Sequence, residues 1–360
     1  MEKIGAAQAG YLILSYVVAT VFITIPAPVA KQAEGAAWIS VLISYILAIP
    51  FGILVVWLGN KFPGKNIFQI AEVLIGKLPS KLIAFVGFFS MLYFTALIER
   101  LKGFLFTSSA MSKTPAIVFI IGCAILSVYL LRSGVEVLAR FNEISFTLVL
   151  LAIIFTCIFS FPLMTFSNIQ PLVAGGIMPI YLGVKEIIGI NLEYVMLLAV
   201  LLPYINDVKQ TYGEVTKAVF FGGLILTFVT LTTILVLGAT DTARTVMPVL
   251  TLSRLLLIGD FIRGLEALLL MPWTAAIFME IALFYFVTLE SLKYIFDLKN
   301  YNGLLWPTAL IISSLAMFPD DILVHREELI FVVKYMILPY VLIISLGLAV
   351  TLKIKELRKC

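Results

Sequence analysis

The chain has 360 residues, of which 62% are apolar and only 13% are charged, and its formal net charge is +4. A soluble domain has about 45–50% apolar and about 25% charged residues. This composition excludes a soluble protein, a disordered chain and a nucleic-acid-binding surface, so we expect a protein that lies in the lipid bilayer.

Few residues in the sequence are suited to metal or catalytic chemistry. Two of the three cysteines, Cys123 and Cys157, lie in apolar stretches, and Cys360 is the last residue. The lone histidine, His325, lies in a polar stretch that we interpret as a solvated loop. Zinc sites and Ser–His–Asp or Cys–His catalysis need more of these residues in suitable spacing. We therefore predict no enzyme activity, no metal and no cofactor.

Apolar stretches along the chain predict the number of membrane helices. A helix needs about 20 mostly apolar residues to cross the hydrocarbon of a bilayer. Ten stretches qualify and predict an all-α polytopic protein, with segments 1 to 10 at residues 7–30, 37–59, 82–107, 115–131, 143–163, 178–205, 216–239, 260–292, 304–319 and 332–352.

The distribution of lysine and arginine predicts the orientation. Fifteen basic residues lie in the termini and loops on the N-terminal side of the membrane, and five lie in the opposite loops. Basic residues concentrate on the cytoplasmic side, so both termini are expected in the cytoplasm. Ten segments divide into two halves of five with opposite orientation. A repeat with halves at 1–163 and 164–360 would therefore be inverted.

Segments 1 and 6 occupy corresponding places in the two halves, and both contain helix-breaking residues. Segment 1 contains Ile25-Pro26-Ala27-Pro28, and segment 6 contains Gly183, Gly189 and Asn191 before Pro203. Two interpretations stay open. The interruptions could be ordinary Pro and Gly kinks, or they could mark discontinuous helices that hold a ligand near the middle of the membrane.

Charged side chains within the segments are the other candidates for function, because a charge in hydrocarbon is costly. Segment 3 contains the neighbours Glu99 and Arg100, and segment 6 contains Glu193. Glu266 and Glu280 in segment 8 are fourteen residues apart and lie on much the same helix face. Each could line a polar cavity or close a structural ion pair.

Short motifs along the whole chain resemble one known family. They are Ile25-Pro26 followed by Ala37-Trp38-Ile39, Thr114-Pro115, Leu202-Pro203, Phe261-Ile262 with Glu266 and Trp273, and Phe318-Pro319-Asp320-Asp321. In this order they resemble the B subunit of spore germinant receptors, the endospore germination permeases of the amino acid–polyamine–organocation transporter superfamily.

The resemblance implies a leucine-transporter-like fold in which helices 1 and 6 are broken. It also implies the spore inner membrane as the location, A and C subunits as partners, and a small germinant, commonly an amino acid, as the ligand. Two positions depart from the family. Ala19-Thr20-Val21 replaces the Gly-x-Gly break of segment 1, and Val195-Met196-Leu197 replaces a Gly-x-Glu, with Glu193 one helical turn earlier.

We therefore expect a small zwitterion to bind between the breaks of segments 1 and 6. Its carboxylate would meet backbone amides of segment 1 near Ala19 to Val21, and its ammonium would meet carbonyls or polar groups around Asn191 to Tyr194, including Glu193. The predicted ligand-binding residues are Ala19, Thr20, Val21, Thr24, Arg100, Gly189, Asn191, Glu193 and Tyr194, and the predicted proton- or ion-coupling residues are Glu99, Glu266 and Glu280. Two other hypotheses remain: a proton-coupled amino-acid transporter, and a structural membrane scaffold.

Overall fold

The computed structural model describes residues 3–19, 21–109, 111, 113–170, 176–256, 266–318 and 322–358. Every named element in these ranges is a helix. Eight helical segments have at least 18 residues and enough apolar character to cross a bilayer: Ala6–Thr24, Pro26–Lys61, Lys77–Thr107, Val135–Leu163, Met178–Tyr204, Thr211–Leu237, Leu269–Ile295 and Glu327–Leu357. Two shorter apolar helices, Ala116–Arg132 and Asn302–Leu315, complete the ten predicted segments.

Segment 1 is discontinuous. It consists of α1 (Ala6–Val18), α2 (Val21–Thr24) and α3 (Pro26–Ala33). Pro26 is the first residue of α3, where its missing N–H has no consequence for the helix. The chain leaves the helical conformation at Glu34, which has a φ of 48°, and segment 2 then follows as α4 (Ala37–Lys61).

Segments 3 and 5 begin earlier than the sequence predicts. A short helix, α5 (Ile67–Ile75), precedes α6 (Lys77–Ser109), and α7 (Ala116–Arg132) precedes α8 (Val135–Ser160). The predicted starts were residues 82 and 143, because apolar stretches end at the first charges. In the structure the helices continue through their charged ends, where ion pairs such as Arg140–Glu136 (2.6 Å) form at the surface.

Segment 6 is also broken, as predicted. It consists of α9 (Met178–Asn191) and α10 (Tyr194–Leu201), separated by Leu192 and Glu193. Segment 7 is α11 (Thr211–Leu237). Two short helices that the sequence analysis did not predict, α12 (Ala239–Arg244) and α13 (Pro248–Leu255), lie between segments 7 and 8.

The last three segments differ from the prediction mainly at the end of the chain. Segment 8 is α14 (Glu266–Ile295), and segment 9 is α15 (Leu305–Leu315). Segment 10 begins ten residues earlier than expected. It consists of α16 (Ile322–Val332), α17 (Leu338–Leu342) and α18 (Leu348–Leu357), joined by π-helical turns at Val333–Ile337 and Ile343–Gly347.

The expectation of a solvated loop histidine is wrong. His325 lies in α16 and is only 1% exposed, because α16 packs against α6. The polar residues around it interrupt the apolar pattern without interrupting the helix.

Segments 1, 6 and 8 form the centre of the molecule. Their most apolar stretches are 75%, 89% and 83% buried, whereas segments 5 and 10 are 33% and 39% buried and turn much of their surface outward. The broken helices are thus enclosed by their neighbours, where polar side chains are shielded from lipid.

Candidate functional site

The break in segment 1 leaves the backbone of Ala19 fully hydrogen-bonded. Ala19 keeps helical dihedral angles, and its N–H donates to the carbonyl oxygen of Ser15 at 2.8 Å. Its own carbonyl accepts a hydrogen bond from the indole N–H of Trp273 at 2.8 Å. The Ala19 N–H is therefore already bonded within the chain, and the predicted contact of a ligand with backbone amides near Ala19 to Val21 stays a prediction.

Other predicted residues of this region are only partly described. Thr20 lies outside the described residues, as do the side chains of Val21 and Glu266. Thr24 is half-buried at the end of α2. The roles predicted for these four residues stay predictions.

The break in segment 6 contains two buried oxygen acceptors. Asn191 donates through Nδ2 to Ser44 Oγ at 2.8 Å. Its Oδ1 has no hydrogen-bond partner in the described part of the chain, and neither has Oε2 of Glu193. Asn191 and Glu193 are 2% and 4% exposed. A buried acceptor without a donor costs about 1–3 kcal/mol, so each of these oxygens is free to accept a hydrogen bond from a donor beyond the described residues.

A buried ion pair lies within electrostatic reach of Glu193. Lys102 of α6 and Glu280 of α14 are at most 1% exposed, and Nζ lies 3.6 Å from Oε2. The Glu193 carboxylate interacts electrostatically with both Glu280 and Lys102. The Lys102 ammonium also lies 5.4 Å from the centre of the Trp273 ring. Lys102 is therefore close to the residue whose indole N–H donates to the Ala19 carbonyl.

Tyr16 adds a hydroxyl group to this cluster. The side chain is fully buried in α1, and its hydroxyl has no hydrogen-bond partner in the described residues. Its oxygen lies within electrostatic reach of Glu193 and Glu280. We call Tyr16, Lys102, Asn191, Glu193 and Glu280 the central cluster.

Sequence reasoning missed two members of the central cluster, Lys102 and Tyr16. Lys102 is three residues after Glu99 in an apolar helix, and the cost of an intramembrane charge could have identified it. Nothing in the sequence distinguishes Tyr16 from the other tyrosines of the chain.

Glu99 and Arg100 contact other groups. The Tyr285 hydroxyl donates to Glu99 Oε1 at 2.8 Å, and the Ser313 hydroxyl lies 3.5 Å from Oε2. The Arg100 guanidinium lies 4.4 Å from the centre of the Phe104 ring. These contacts join segment 3 to segments 8 and 9, and the predicted coupling and ligand-binding roles of Glu99 and Arg100 stay predictions.

Gly189 and Tyr194 make close contacts with neighbouring helices. A Cβ atom on Gly189 would lie 2.6 Å from Cγ1 of Val333 in segment 10. The Tyr194 hydroxyl donates to the Ala48 carbonyl at 2.9 Å and accepts from the Gly52 N–H at 3.1 Å. Both residues fix the position of the segment 6 break, and a direct ligand contact by either stays a prediction.

The chain matches the family model described as spore germination protein over residues 3–324. It belongs to this spore germination protein family. Spore germination protein YndE of Bacillus subtilis is 25% identical over 356 residues, which cover 95% of the chain and 96% of YndE. Spore germination protein KB of the same organism is 25% identical and covers 91% of the chain and 90% of its own length.

Solved transporter structures share the fold of this spore germination protein. A substrate-bound Na⁺-coupled sialic acid symporter matches 96% of the chain and 79% of its own length, with a TM-score of 0.68 and 14% identity. MhsT in complex with L-phenylalanine matches 96% and 89%, with a TM-score of 0.62 and 15% identity. The predicted leucine-transporter-like fold of a multi-pass membrane protein is therefore confirmed. The repeat boundaries at 1–163 and 164–360 stay a prediction.

Proposed function

We propose that this chain is the membrane subunit of a nutrient germinant receptor. It binds a small germinant that carries an ammonium group, an amino acid above all, at the break of segment 6 and thereby triggers germination. The observation that carries this proposal is the pair of buried oxygens, Asn191 Oδ1 and Glu193 Oε2, that have no donor among the described residues. An ammonium group supplies three donors and one positive charge.

The position of these oxygens supports a signalling role. They lie where α9 ends and α10 begins, so a ligand between them contacts both halves of a broken helix. A ligand shifts a conformational equilibrium only if it binds one state more tightly than the other. A donor that reaches both oxygens in one arrangement of α9 and α10 provides that difference.

The proposal includes the setting of the receptor. The subunit resides in the spore inner membrane with both termini in the cytoplasm and assembles with A and C subunits. Its relatives are named spore germination proteins, and the distribution of basic residues supports this orientation.

A proton-coupled amino-acid transporter is the second candidate. It is favoured by the carboxylates of Glu193 and Glu280, which are buried near each other, and by the transporter fold. In this alternative one of these carboxylates, Glu99 or Glu266 carries the coupled proton. A transporter accumulates its substrate in liposomes when a pH gradient is imposed, whereas a receptor binds the same molecule without accumulating it.

Binding by the purified chain tests the proposed site. We expect at least one L-amino acid from a panel of twenty to raise the apparent Tm, since a ligand at 100 times its Kd stabilises a protein by about 2.7 kcal/mol. Glu193→Gln should weaken binding by about tenfold or more, because a hydrogen bond to a charged group contributes about 1.5–3 kcal/mol.

The matched control is Glu186→Gln, which removes a half-buried carboxylate two turns earlier on α9. This variant should bind like the unmodified chain. No stabilisation by any amino acid, or equal weakening by both substitutions, would contradict the proposed site.

A further inference from the structure

The carboxylate of an amino-acid germinant needs a positive partner in this site. The backbone of segment 1 at Ala19 does not supply this partner. Its N–H donates to the Ser15 carbonyl, and its carbonyl accepts from the Trp273 indole. The cation that interacts with Glu193 in the described part of the chain is Lys102. Its side chain is fully buried and pairs with Glu280, and an intramembrane lysine is a functional candidate because a charge in hydrocarbon is costly.

We propose that Lys102 binds the carboxylate of the germinant, so that the site takes a zwitterion and recognises both of its charged ends. This inference rests on the proposed function, because it presumes that the ligand ammonium lies at Glu193. It makes Lys102 the residue that determines specificity for a free carboxylate.

The order of charges in the cluster supports this role. Lys102 interacts with both Glu280 and Glu193, and these two carboxylates repel each other. When the ligand ammonium lies at Glu193, it neutralises that carboxylate in place of Lys102. The sequence Glu193, ligand ammonium, ligand carboxylate, Lys102, Glu280 then alternates in sign, and each buried charge lies between opposite charges. Such pairing is needed where the local dielectric constant is low.

The geometry around Lys102 suits a side chain that serves two carboxylates. Its Nζ lies 3.6 Å from Glu280 Oε2 and also interacts electrostatically with Glu193. An ammonium group carries three donors and can therefore bridge two acceptors. The Trp273 ring beside Nζ donates its N–H to Ala19, so a shift of Lys102 toward the ligand affects a residue bonded to the segment 1 break.

The test compares an amino acid with its α-amide on the purified full chain. The probe is the tightest-binding member of the L-amino acid panel, and the amide keeps the ammonium and side chain but lacks the negative charge. We expect the unmodified chain to bind the acid at least about tenfold more tightly, since the amide lacks the negative charge that Lys102 contacts. Equal affinity for acid and amide overturns the inference.

A double variant locates the contact. Lys102→Met alone leaves the buried Glu280 carboxylate without its ion-pair partner and destabilises the fold. The substitution is therefore combined with Glu280→Gln, which removes both charges together. The double variant should bind acid and amide within about twofold of each other. Lys217→Met, which removes an exposed lysine, should keep the discrimination of the unmodified chain. Retention of full discrimination by the double variant overturns the inference.

The outcomes separate this inference from the proposed function. Equal binding of acid and amide, with both weakened by Glu193→Gln, overturns the role of Lys102 and leaves the ammonium site intact. No binding of any panel member to the unmodified chain overturns both. Because the comparison on the unmodified chain needs no variant, equal affinity for acid and amide would overturn the inference even if the double variant does not fold.

Discussion

His325 is a buried base in the first turn of α16, at the start of segment 10 and two residues before its membrane-spanning stretch, Glu327–Leu357. Neither ring nitrogen has a hydrogen-bond partner in the described residues. Burial, and then the charge of the nearby Arg100 guanidinium, lowers the pKa of His325 to about 4. The folded protein therefore holds a neutral imidazole at pH 7 and resists protonation well below the usual histidine pKa.

This depressed pKa predicts a loss of stability at acidic pH. Between pH 6.5 and 4 the unfolded chain binds a proton at His325 that the folded chain does not, so the free energy of unfolding falls as the pH falls. By pH 5 this amounts to at most about 2 kcal/mol. Thermal unfolding between pH 7 and 5 should show the apparent Tm of the unmodified chain falling relative to that of His325→Phe, because the other titrating groups are common to both chains. Parallel profiles would show that His325 does not cause the change.

Single residues also show what the sequence could predict. The rule that intramembrane charges are functional candidates identified Glu193 and Glu280, which the structure brings close together. It could not predict that Lys102 pairs with Glu280 while Glu99 accepts from Tyr285. These pairings depend on the rotation of α6 relative to α14, and sequence spacing within one helix does not specify that rotation.

At the scale of elements, a row of hydrogen bonds along one face of segment 2 connects it to segment 6. Ser40 donates to the Ile180 carbonyl at 3.0 Å, Ser44 accepts from Asn191, and Ala48 and Gly52 bond to Tyr194. These α4 positions are four residues apart and lie on one helix face. The Tyr194 hydroxyl lies between the Gly52 N–H and the Ala48 carbonyl, which would bond to each other in an undisturbed helix. Movement of the segment 6 break is thereby coupled to segment 2.

Because the Tyr194 hydroxyl lies between two backbone groups of α4, we predict an energetic coupling between Gly52 and Tyr194. A Cβ on Gly52 would lie 2.6 Å from the Tyr194 hydroxyl, so Gly52→Ala should destabilise the chain by about 1–3 kcal/mol. In a Tyr194→Phe background the hydroxyl is absent, and the same substitution should cost at least about 0.5 kcal/mol less. A double-mutant cycle of unfolding free energies measures the difference.

Gly122→Ala is the control for this cycle. Gly122 lies within α7, and a Cβ there would meet no atom within 4 Å. This substitution should leave stability unchanged or raise it slightly, because alanine favours a helix over glycine. Additive effects of Gly52→Ala and Tyr194→Phe would contradict the inserted arrangement of the hydroxyl.

The elements were predictable to different degrees. Proline, glycine and asparagine located the breaks of segments 1 and 6, since these residues disturb helical hydrogen bonding. Ala19 retains helical dihedral angles at the segment 1 break, where Ala19-Thr20-Val21 replaces the glycines that the family resemblance implies. The π-helical turns at Val333–Ile337 and Ile343–Gly347 could not be predicted, since they depend on packing rather than on local residue preference.

In the whole molecule, hydrogen bonds and an ion pair connect residues at one end of the central helices. The Ile4 N–H donates to the Tyr204 carbonyl at 2.8 Å, and the Ile4 carbonyl accepts from the Asn206 N–H at 3.0 Å. The Tyr204 hydroxyl donates to Glu290 at 2.7 Å, and Lys293 contacts the same carboxylate at 2.9 Å. Because Lys102 and Glu193 are at most 4% exposed, a ligand reaches them only when helices rearrange. In the proposed receptor, binding and conformational change are thus linked.

Germination itself tests the central claim most directly, namely that a ligand held at Glu193 triggers the response. Spores carrying the unmodified chain, Glu193→Gln or Glu186→Gln are exposed to increasing concentrations of the amino acid identified by binding, with the amount of each chain checked by immunoblot. We predict that Glu193→Gln raises the half-maximal concentration by about tenfold or more, while Glu186→Gln leaves it within about twofold of the unmodified chain. An unchanged dose–response for Glu193→Gln, at equal protein level, would contradict the account.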